Sequence, residues 1–318
     1  MRAAALSRTE RFWALLLALV WDLSLGEPPE AAHPVVWMGR AIDAADRRAP
    51  EEERPRLAYG ALVALALPLI AAAVTRTALA VTRPPLLRLA LTAYLLKSSL
   101  SVRGLLDAAR RVQASLERDD LPGARDALRA LVSRETGDLS SELVASAAIE
   151  SLAENLTDSL AGPLVAYAVG GLPAAVAYRM VNTADAMLGY RSERYEHLGK
   201  AAARLDDVAN LLPARVAALA LVAASVVSGY SPAEAWRGAW QGRQATASPN
   251  AGWTIGAMAG ALGVVLEKVG HYRLGIAKRP VTPAIIREAA TLVGRAAALL
   301  SVSILLLEAR RSARNRQS

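Results

Sequence analysis

Four uncharged, largely apolar runs constrain this chain more than any other feature: Leu57–Thr75, Ser159–Tyr178, Val216–Ala233 and Gln244–Leu266. Crossing the hydrocarbon core of a bilayer takes about 20 apolar residues in a helix. Lipid offers no partner to backbone N–H and C=O groups, so such segments must satisfy them internally. Three further stretches are shorter or charged: Phe12–Gly26 carries Asp22, Leu86–Val102 carries Arg88 and Lys97, and Ala289–Leu307 carries Arg295. With 53% hydrophobic residues and a mean hydropathy of +0.25, the chain is too apolar for an ordinary soluble domain. The fold class expected is an all-α, polytopic integral membrane protein with roughly five to seven membrane-embedded segments. It reads as a single membrane-embedded domain over 1–318, with large polar loops at about 26–56, 103–158 and 180–215.

Arginines gather at the N-terminus (Arg2, Arg8, Arg11), in Arg40–Arg56, in Arg103–Arg134 and in the tail (Arg310, Arg311, Arg314, Arg316). The positive-inside tendency puts all four clusters in the cytoplasm. The protein is therefore expected to be multi-pass in the cell (plasma) membrane, among membrane lipid, with its site facing the cytoplasm. Acids dilute the basic residues and aromatics are not interleaved with them, so nucleic acid is not expected as a partner. The absence of cysteine excludes disulfides, thiolate metal sites and a thiol nucleophile. The first apolar stretch has a basic flank but no small-residue cleavage site before Glu27, and reads as a retained anchor. Gly162–Pro163 and Gly170–Pro173 punctuate the run Ser159–Tyr178, which suits a re-entrant segment. Arg103–Leu131 reads as a charged helical hairpin broken at Pro122–Gly123, and Ser140 as the N-cap of a helix running through Glu154. Strand signals are nearly absent.

The polar chemistry is concentrated between Glu150 and Arg215. Glu150, Glu154 and Asp158 are four residues apart, which on one helix makes an acidic stripe. Carboxylates beside an apolar segment are costly unless they bind a cation, pair with a base or reach water. Mg²⁺ takes oxygen ligands and relies on water and substrate phosphates for the rest, so Glu154, Asp158, Asp206 and Asp207 are the metal candidates. A solvated acidic face is the other reading of the stripe, and N-capping that of Asp206–Asp207. Asp206 and Asn210 share a helix face flanked by Arg204 and Arg215, an arrangement able to hold metal and phosphate together. Arg179, Asn182 and Asp185 form a similar group, with Arg191 nearby and Asn155 beside the stripe. Glu150, Asp185 and Asp207 are the catalytic candidates, joined by His33, which precedes Pro34 in the first loop as a possible base or ligand.

Ser248-Pro249-Asn250 makes a polar turn before an apolar helix, so Ser248 and Asn250 are candidates for substrate contact. Gly256, Gly260 and Gly263 read as a packing face. No GxxxxGK[ST], GxG or HExxH motif occurs, so any ATP must be held by carboxylates, metal and arginines.

In this order the motifs resemble the adenosylcobinamide-phosphate synthases of cobalamin biosynthesis, the CobD/CbiB family. The matching pieces are His33-Pro34 with Gly39, Ser133-Arg134, Glu150 through Asn155 to Asp158 and Pro163, and Asn182 through Asp185 to Gly189-Tyr190. Ala203 through Asn210 to Pro213 and Arg215, and then Ser248 through Trp253, complete the set over roughly residues 20 to 275. Glu135, Leu156 and Thr254 depart from the family pattern beside matching polar positions. The resemblance implies an amide ligase. Its substrates would be adenosylcobyric acid, ATP and (R)-1-amino-2-propanol phosphate or a similar amino-alcohol phosphate, with Mg²⁺, and other cobalamin-pathway enzymes are candidate partners. A corrinoid-handling transporter and a non-catalytic pathway scaffold are the alternatives.

Overall fold

The structure is a computed structural model that describes residues 7–189 and 194–314. In chain order the helices are α1 (Arg8–Ser24), α2 (Pro34–Asp46), α3 (Glu53–Val81), α4 (Pro85–Lys97), α5 (Val102–Glu117), α6 (Leu121–Leu128) and α7 (Ser141–Leu156). They continue as α8 (Gly162–Leu188), α9 (Lys200–Ala209), α10 (Leu211–Val227), α11 (Pro232–Gly242), α12 (Ala251–Leu262) and α13 (Pro283–Arg314). Ala- and Leu-rich composition favours helix throughout, and starts are marked locally. Ser7 forms a capping box with Glu10, Ser140 accepts from the Leu143 N–H, and Pro34, Pro85, Pro122 and Pro232 sit in first turns, where a missing N–H costs nothing. Pro122–Gly123 therefore begins α6 rather than breaking the hairpin, whose turn is Arg118–Asp120.

Three helices are long and apolar enough to cross a membrane: Glu53–Val81, the continuous stretch Ser141–Leu188, and Pro283–Ala313. The bent pair Lys200–Ala209 and Leu211–Val227 makes a fourth if it counts as one span. The chain is thus an all-α, polytopic membrane protein, with fewer full-length spans among the described residues than anticipated. The run Gln244–Leu266 is the main reason. It yields only the twelve-residue α12, because Gly263 ends that helix at φ 66 and the chain turns into a hairpin. The hairpin's strands, β1 (Val265–Lys268) and β2 (Tyr272–Gly275), pair antiparallel with Leu266 opposite Leu274. The feature compatible with a re-entrant segment is also elsewhere than anticipated. Ser159–Tyr178 is helical, through a π turn at Thr157–Ala161 and a kink at Gly171 (φ 70), whereas the sharp bend of 49° joins α9 to α10.

Contacts divide the chain into two compact units that interleave along the sequence. Unit 1 comprises residues 1–101, 162–210 and 303–318. Here α1, α4 and α8 run in the same direction. Glu10 pairs with Arg88 at one end of α1 and α4, and Asp22 with Lys97 at 3.0 Å at the other. The two charges that made these stretches poor spans on paper thus neutralise each other, both fully buried. At the first end, the break at Gly171–Pro173 leaves helix carbonyls in need of donors. Arg11 donates to the Tyr167 and Ala168 carbonyls at 2.6 and 3.3 Å, and Arg311 to Ala168 at 2.6 Å. Buried Glu308 clamps both guanidinium groups. Arg40 belongs to α2, whose Gly39 faces Met187 near the opposite, C-terminal end of α8. Arg11 and Arg311 therefore lie at the opposite end of unit 1 from Arg40.

Unit 2 comprises residues 102–161 and 211–302. Its tightest contact is α11 against α12, backbone to backbone. A Cβ on Gly238 would lie 2.2 Å from the Gly256 carbonyl oxygen, and one on Gly260 2.3 Å from that of Glu234. Small residues at four-residue spacing on both helices permit this approach. The partner stripe Gly238/Gly242 on α11 is a match to Gly256/Gly260 that the sequence reading did not pair.

Candidate active site

In unit 2 the π turn follows α7 directly, and π turns recur at functional sites. A four-residue step advances about 40° beyond a full helical turn, so Glu150 and Asp158 are about 80° apart even before the π turn alters the register. The three carboxylates accordingly differ. Glu150 is buried, Glu154 exposed and Asp158 half-buried. Glu150 accepts from the Ser146 hydroxyl at 3.2 Å and the Tyr272 hydroxyl at 3.1 Å, and Arg134 stands 3.6 Å from the same oxygen as Tyr272. Ser146 in turn accepts from the Glu267 N–H at 2.8 Å, so α7, the 132–135 loop and both hairpin strands meet on one carboxylate. Burial, then the negative charges of Glu150 and Glu154, push the Tyr272 phenol well above its ordinary value, which keeps it a donor. Tyr272 escaped the sequence reading. Its only signal there is the short strand–Gly270–strand pattern.

Asn155 donates to the Ser151 carbonyl and hydroxyl at 3.0 and 2.9 Å, and Ser151 donates to the Leu131 carbonyl at 2.7 Å. The Ser248–Asn250 turn is held internally: the Asn250 N–H donates to the Ser248 hydroxyl at 3.2 Å. Arg215 donates to the Asn250 side chain at 2.6 Å and the Pro249 carbonyl at 3.2 Å, and lies over the Trp253 ring. These contacts tie α10 to the start of α12.

In unit 1, Arg179 donates to Asn182 at 2.9 Å and to the Ser99 carbonyl, joining α8 to the end of α4. Asp185, half-buried a turn further on, folds back over Gly189, where a Cβ would lie 2.1 Å from its oxygen. Tyr190 and Arg191 lie outside the described residues. Asn210 is buried, accepts from the Tyr178 hydroxyl at 2.6 Å, and donates to Asp206 at 2.9 Å. Asp207 points about 100° from Asp206 and is three-quarters buried, with exposed Arg204 3.9 Å away. His33 caps α2, its Nδ1 accepting from the Val35 N–H at 3.2 Å, while Nε2 lies 3.1 Å from Glu27. Both ring nitrogens are engaged, Nδ1 as the acceptor of the cap and Nε2 facing the Glu27 carboxylate as a donor, so any service as a base requires breaking the cap to Val35. Glu27 also accepts from Lys97 and Ser101, at 2.8 and 2.7 Å. Burial raises its carboxyl, but these donors outweigh that and hold it below its ordinary value.

Among the described residues no three carboxylate or imidazole groups stand close enough to hold a metal ion by themselves. An ion held by only one or two of these carboxylates would complete its shell with phosphate and water oxygens.

No solved structure matches this chain. The family model described as CobD/Cbib protein matches residues 15–300. The cobalamin biosynthesis protein CobD of Dehalococcoides mccartyi is 41% identical over 297 residues, 91% of this chain and 96% of its own length. A "Probable cobalamin biosynthesis protein CobD" of Thermococcus kodakarensis is 43% identical over 258 residues, 81% of this chain and 83% of its own. A protein of the same description from Methanothermobacter thermautotrophicus is 41% identical over 268 residues, 82% and 86% of the two chains. The chain therefore belongs to the CobD/Cbib family of cobalamin biosynthesis proteins.

Proposed function

We propose that this protein is an ATP- and Mg²⁺-dependent amide ligase that joins adenosylcobyric acid to an amino-alcohol phosphate, (R)-1-amino-2-propanol phosphate or a close analogue, giving adenosylcobinamide phosphate. The observation that carries the reading is the family match over residues 15–300, which includes every residue assigned a role here. A carboxylate is a poor acyl donor. Its oxygen attacks the γ-phosphorus of ATP and ADP leaves. The amine then attacks the acyl carbon, the C–O bond to phosphate breaks, and the amine's proton passes to a base.

Asp185 and Asp207 are assigned as the bases, being partly accessible carboxylates. Glu154 and Asp158 in unit 2, or Asp206 and Asp207 in unit 1, would hold Mg²⁺ together with phosphate and water oxygens, and the ion would supply positive charge to the phosphoryl oxygens. Arg179, Arg204 and Arg215, with Asn155, Asn182, Asn210, Ser248 and Asn250, are assigned to phosphate and substrate. The contacts already made by Asn155, Asn210 and Arg215 support positioning for these three. Glu150 orients Arg134 and Tyr272, and His33 orders the first loop. The need for ATP assigns the His33–Asp185 end of unit 1 to the cytoplasmic face of the cell membrane.

Purified protein given adenosylcobyric acid, ATP, Mg²⁺ and the amino-alcohol phosphate should yield the amide by mass spectrometry, with ADP and phosphate in step. ¹⁸O should pass from the carboxylate to phosphate. AMP and pyrophosphate would replace the acyl phosphate with an acyl adenylate. Binding of both substrates without joining under any metal and nucleotide condition would refute the ligase.

A further inference from the structure

Outside the groups assigned above, unit 2 contains a cavity of about 230 Å³ between α11, the end of α12 and β2. Pockets for drug-sized ligands run from roughly 300 to 1,000 Å³, so a corrinoid or a nucleotide is too large for it. Its floor is backbone. Gly263 (φ 66) and Gly275 (φ 106) occupy conformations that side chains rarely adopt, and a Cβ on Gly275 would lie 2.1 Å from the Val264 carbonyl. The 276–279 segment is tied down over the end of α12, where the Lys278 and Arg279 N–H groups donate to the Gly263 carbonyl at 3.0 and 3.1 Å. Leu274 and Ile276 give the cavity an apolar side, and Glu234, Arg237, Gln241 and Lys278 add polar and charged groups to its lining, with Lys278 paired to Glu234.

We propose that this cavity is the subsite for the amino-alcohol phosphate, Arg237 and Lys278 taking the phosphate and Glu234 the ammonium. The inference rests on the ligase reading above and names the place of its smaller substrate. Charge supports it. Two cations and one carboxylate leave the cavity at net +1. A phosphate monoester near pH 7 carries about −1.5 to −2, and the ammonium brings the ligand close to −1. Lys278 exchanges one carboxylate partner for phosphate, and Glu234 exchanges Lys278 for the ammonium, so neither charge is stranded. The C-terminal end of α12 also favours a cation. Tyr272, which contacts Glu150, lies on the same strand three residues from Gly275, about 10 Å away.

A phosphate–ammonium zwitterion is also the headgroup of phosphatidylethanolamine, so the test has two arms. In detergent, the full-length protein is titrated calorimetrically with (R)-1-amino-2-propanol phosphate and with ethanolamine phosphate, beside inorganic phosphate and the unphosphorylated amino alcohol. Binding should require both charges. Arg237→Gln and Lys278→Gln should each weaken it about tenfold or more, with melting temperature unchanged. In turnover, both variants should raise KM for the amine substrate and leave KM for the corrinoid alone. If the wild type turns over and neither variant moves the amine KM, the subsite is wrong and the ligase stands. If Arg237-dependent zwitterion binding is seen without turnover under any condition, the ligase reading fails and the site stands as a binding site. In the second arm the protein is placed in phosphatidylethanolamine or in phosphatidylglycerol nanodiscs. Abolition of soluble-zwitterion binding in the former alone would make this a lipid site and overturn the substrate assignment.

Discussion

The Glu150–Arg134 pair offers a test that separates architecture from chemistry. Removing one member of a buried ion pair typically costs about 3–5 kcal/mol, because the other charge is left uncompensated. Three features lower that figure here. The contact is 3.6 Å and not bidentate, the Arg134 side chain is 24% exposed, and Glu150 keeps its bonds from Ser146 and Tyr272. Arg134→Gln should therefore cost about 1–3 kcal/mol. For a chain of this size that is roughly a 1.5–4.5 °C fall in melting temperature. Glu150→Gln should cost a similar amount, since it leaves the Arg134 charge beside an amide. The double variant removes both charges and should recover about 1–2 kcal/mol relative to the sum. Thermal unfolding in detergent, followed by near-ultraviolet circular dichroism, measures the cycle, and turnover is measured on the same preparations. Strictly additive losses would refute the ion pair as a stabilising contact. If Glu150 serves the reaction as well as the fold, the double variant regains stability while turnover stays about 10²-fold down or lower. Restored turnover would reduce Glu150 to architecture.

Glu308→Ala should destabilise unit 1 by about 2–4 kcal/mol through the stranded Arg11 and Arg311, yet leave turnover intact at low temperature, since His33 and Asp185 are at the other end of the unit. Lost activity in folded protein would contradict that separation. Gly256→Leu should force α11 and α12 apart, because even a Cβ there would meet the Gly238 carbonyl at 2.2 Å. A fall in melting temperature and altered emission from the neighbouring Trp236, Trp240 and Trp253 would register it, and an unchanged spectrum and stability would refute the close approach. Glu27 has a folded-state carboxyl below its ordinary value of 4.5, so its contribution is present above that pH and lost as pH falls through the folded value. Stability–pH curves should show an acid limb that Glu27→Gln flattens, and identical limbs would refute it.

The class of the protein was legible from local sequence. The length of an uncharged run and a Ser or Pro at a helix start are properties of neighbouring residues, and so were the caps at Ser7 and Ser140 and the run inside Glu53–Val81. The ordered polar motifs pointed to the family for the same reason. Pairing was not legible. Asp22 and Lys97 each read as a flaw in a span until α1 and α4 are set side by side in parallel. Glu150 read as one of three carboxylates on a single stripe until Tyr272, 122 residues away, closed over it. Gln244–Leu266 was long enough to cross a membrane on composition, and the left-handed turn at Gly263 with the hairpin behind it ended the helix after Leu262. Periodicity along a chain fixes which face of a helix is apolar. Which charges meet across faces depends on helix direction and contact, so tertiary structure alone decided which of these polar groups hold the fold and which stay accessible for substrate.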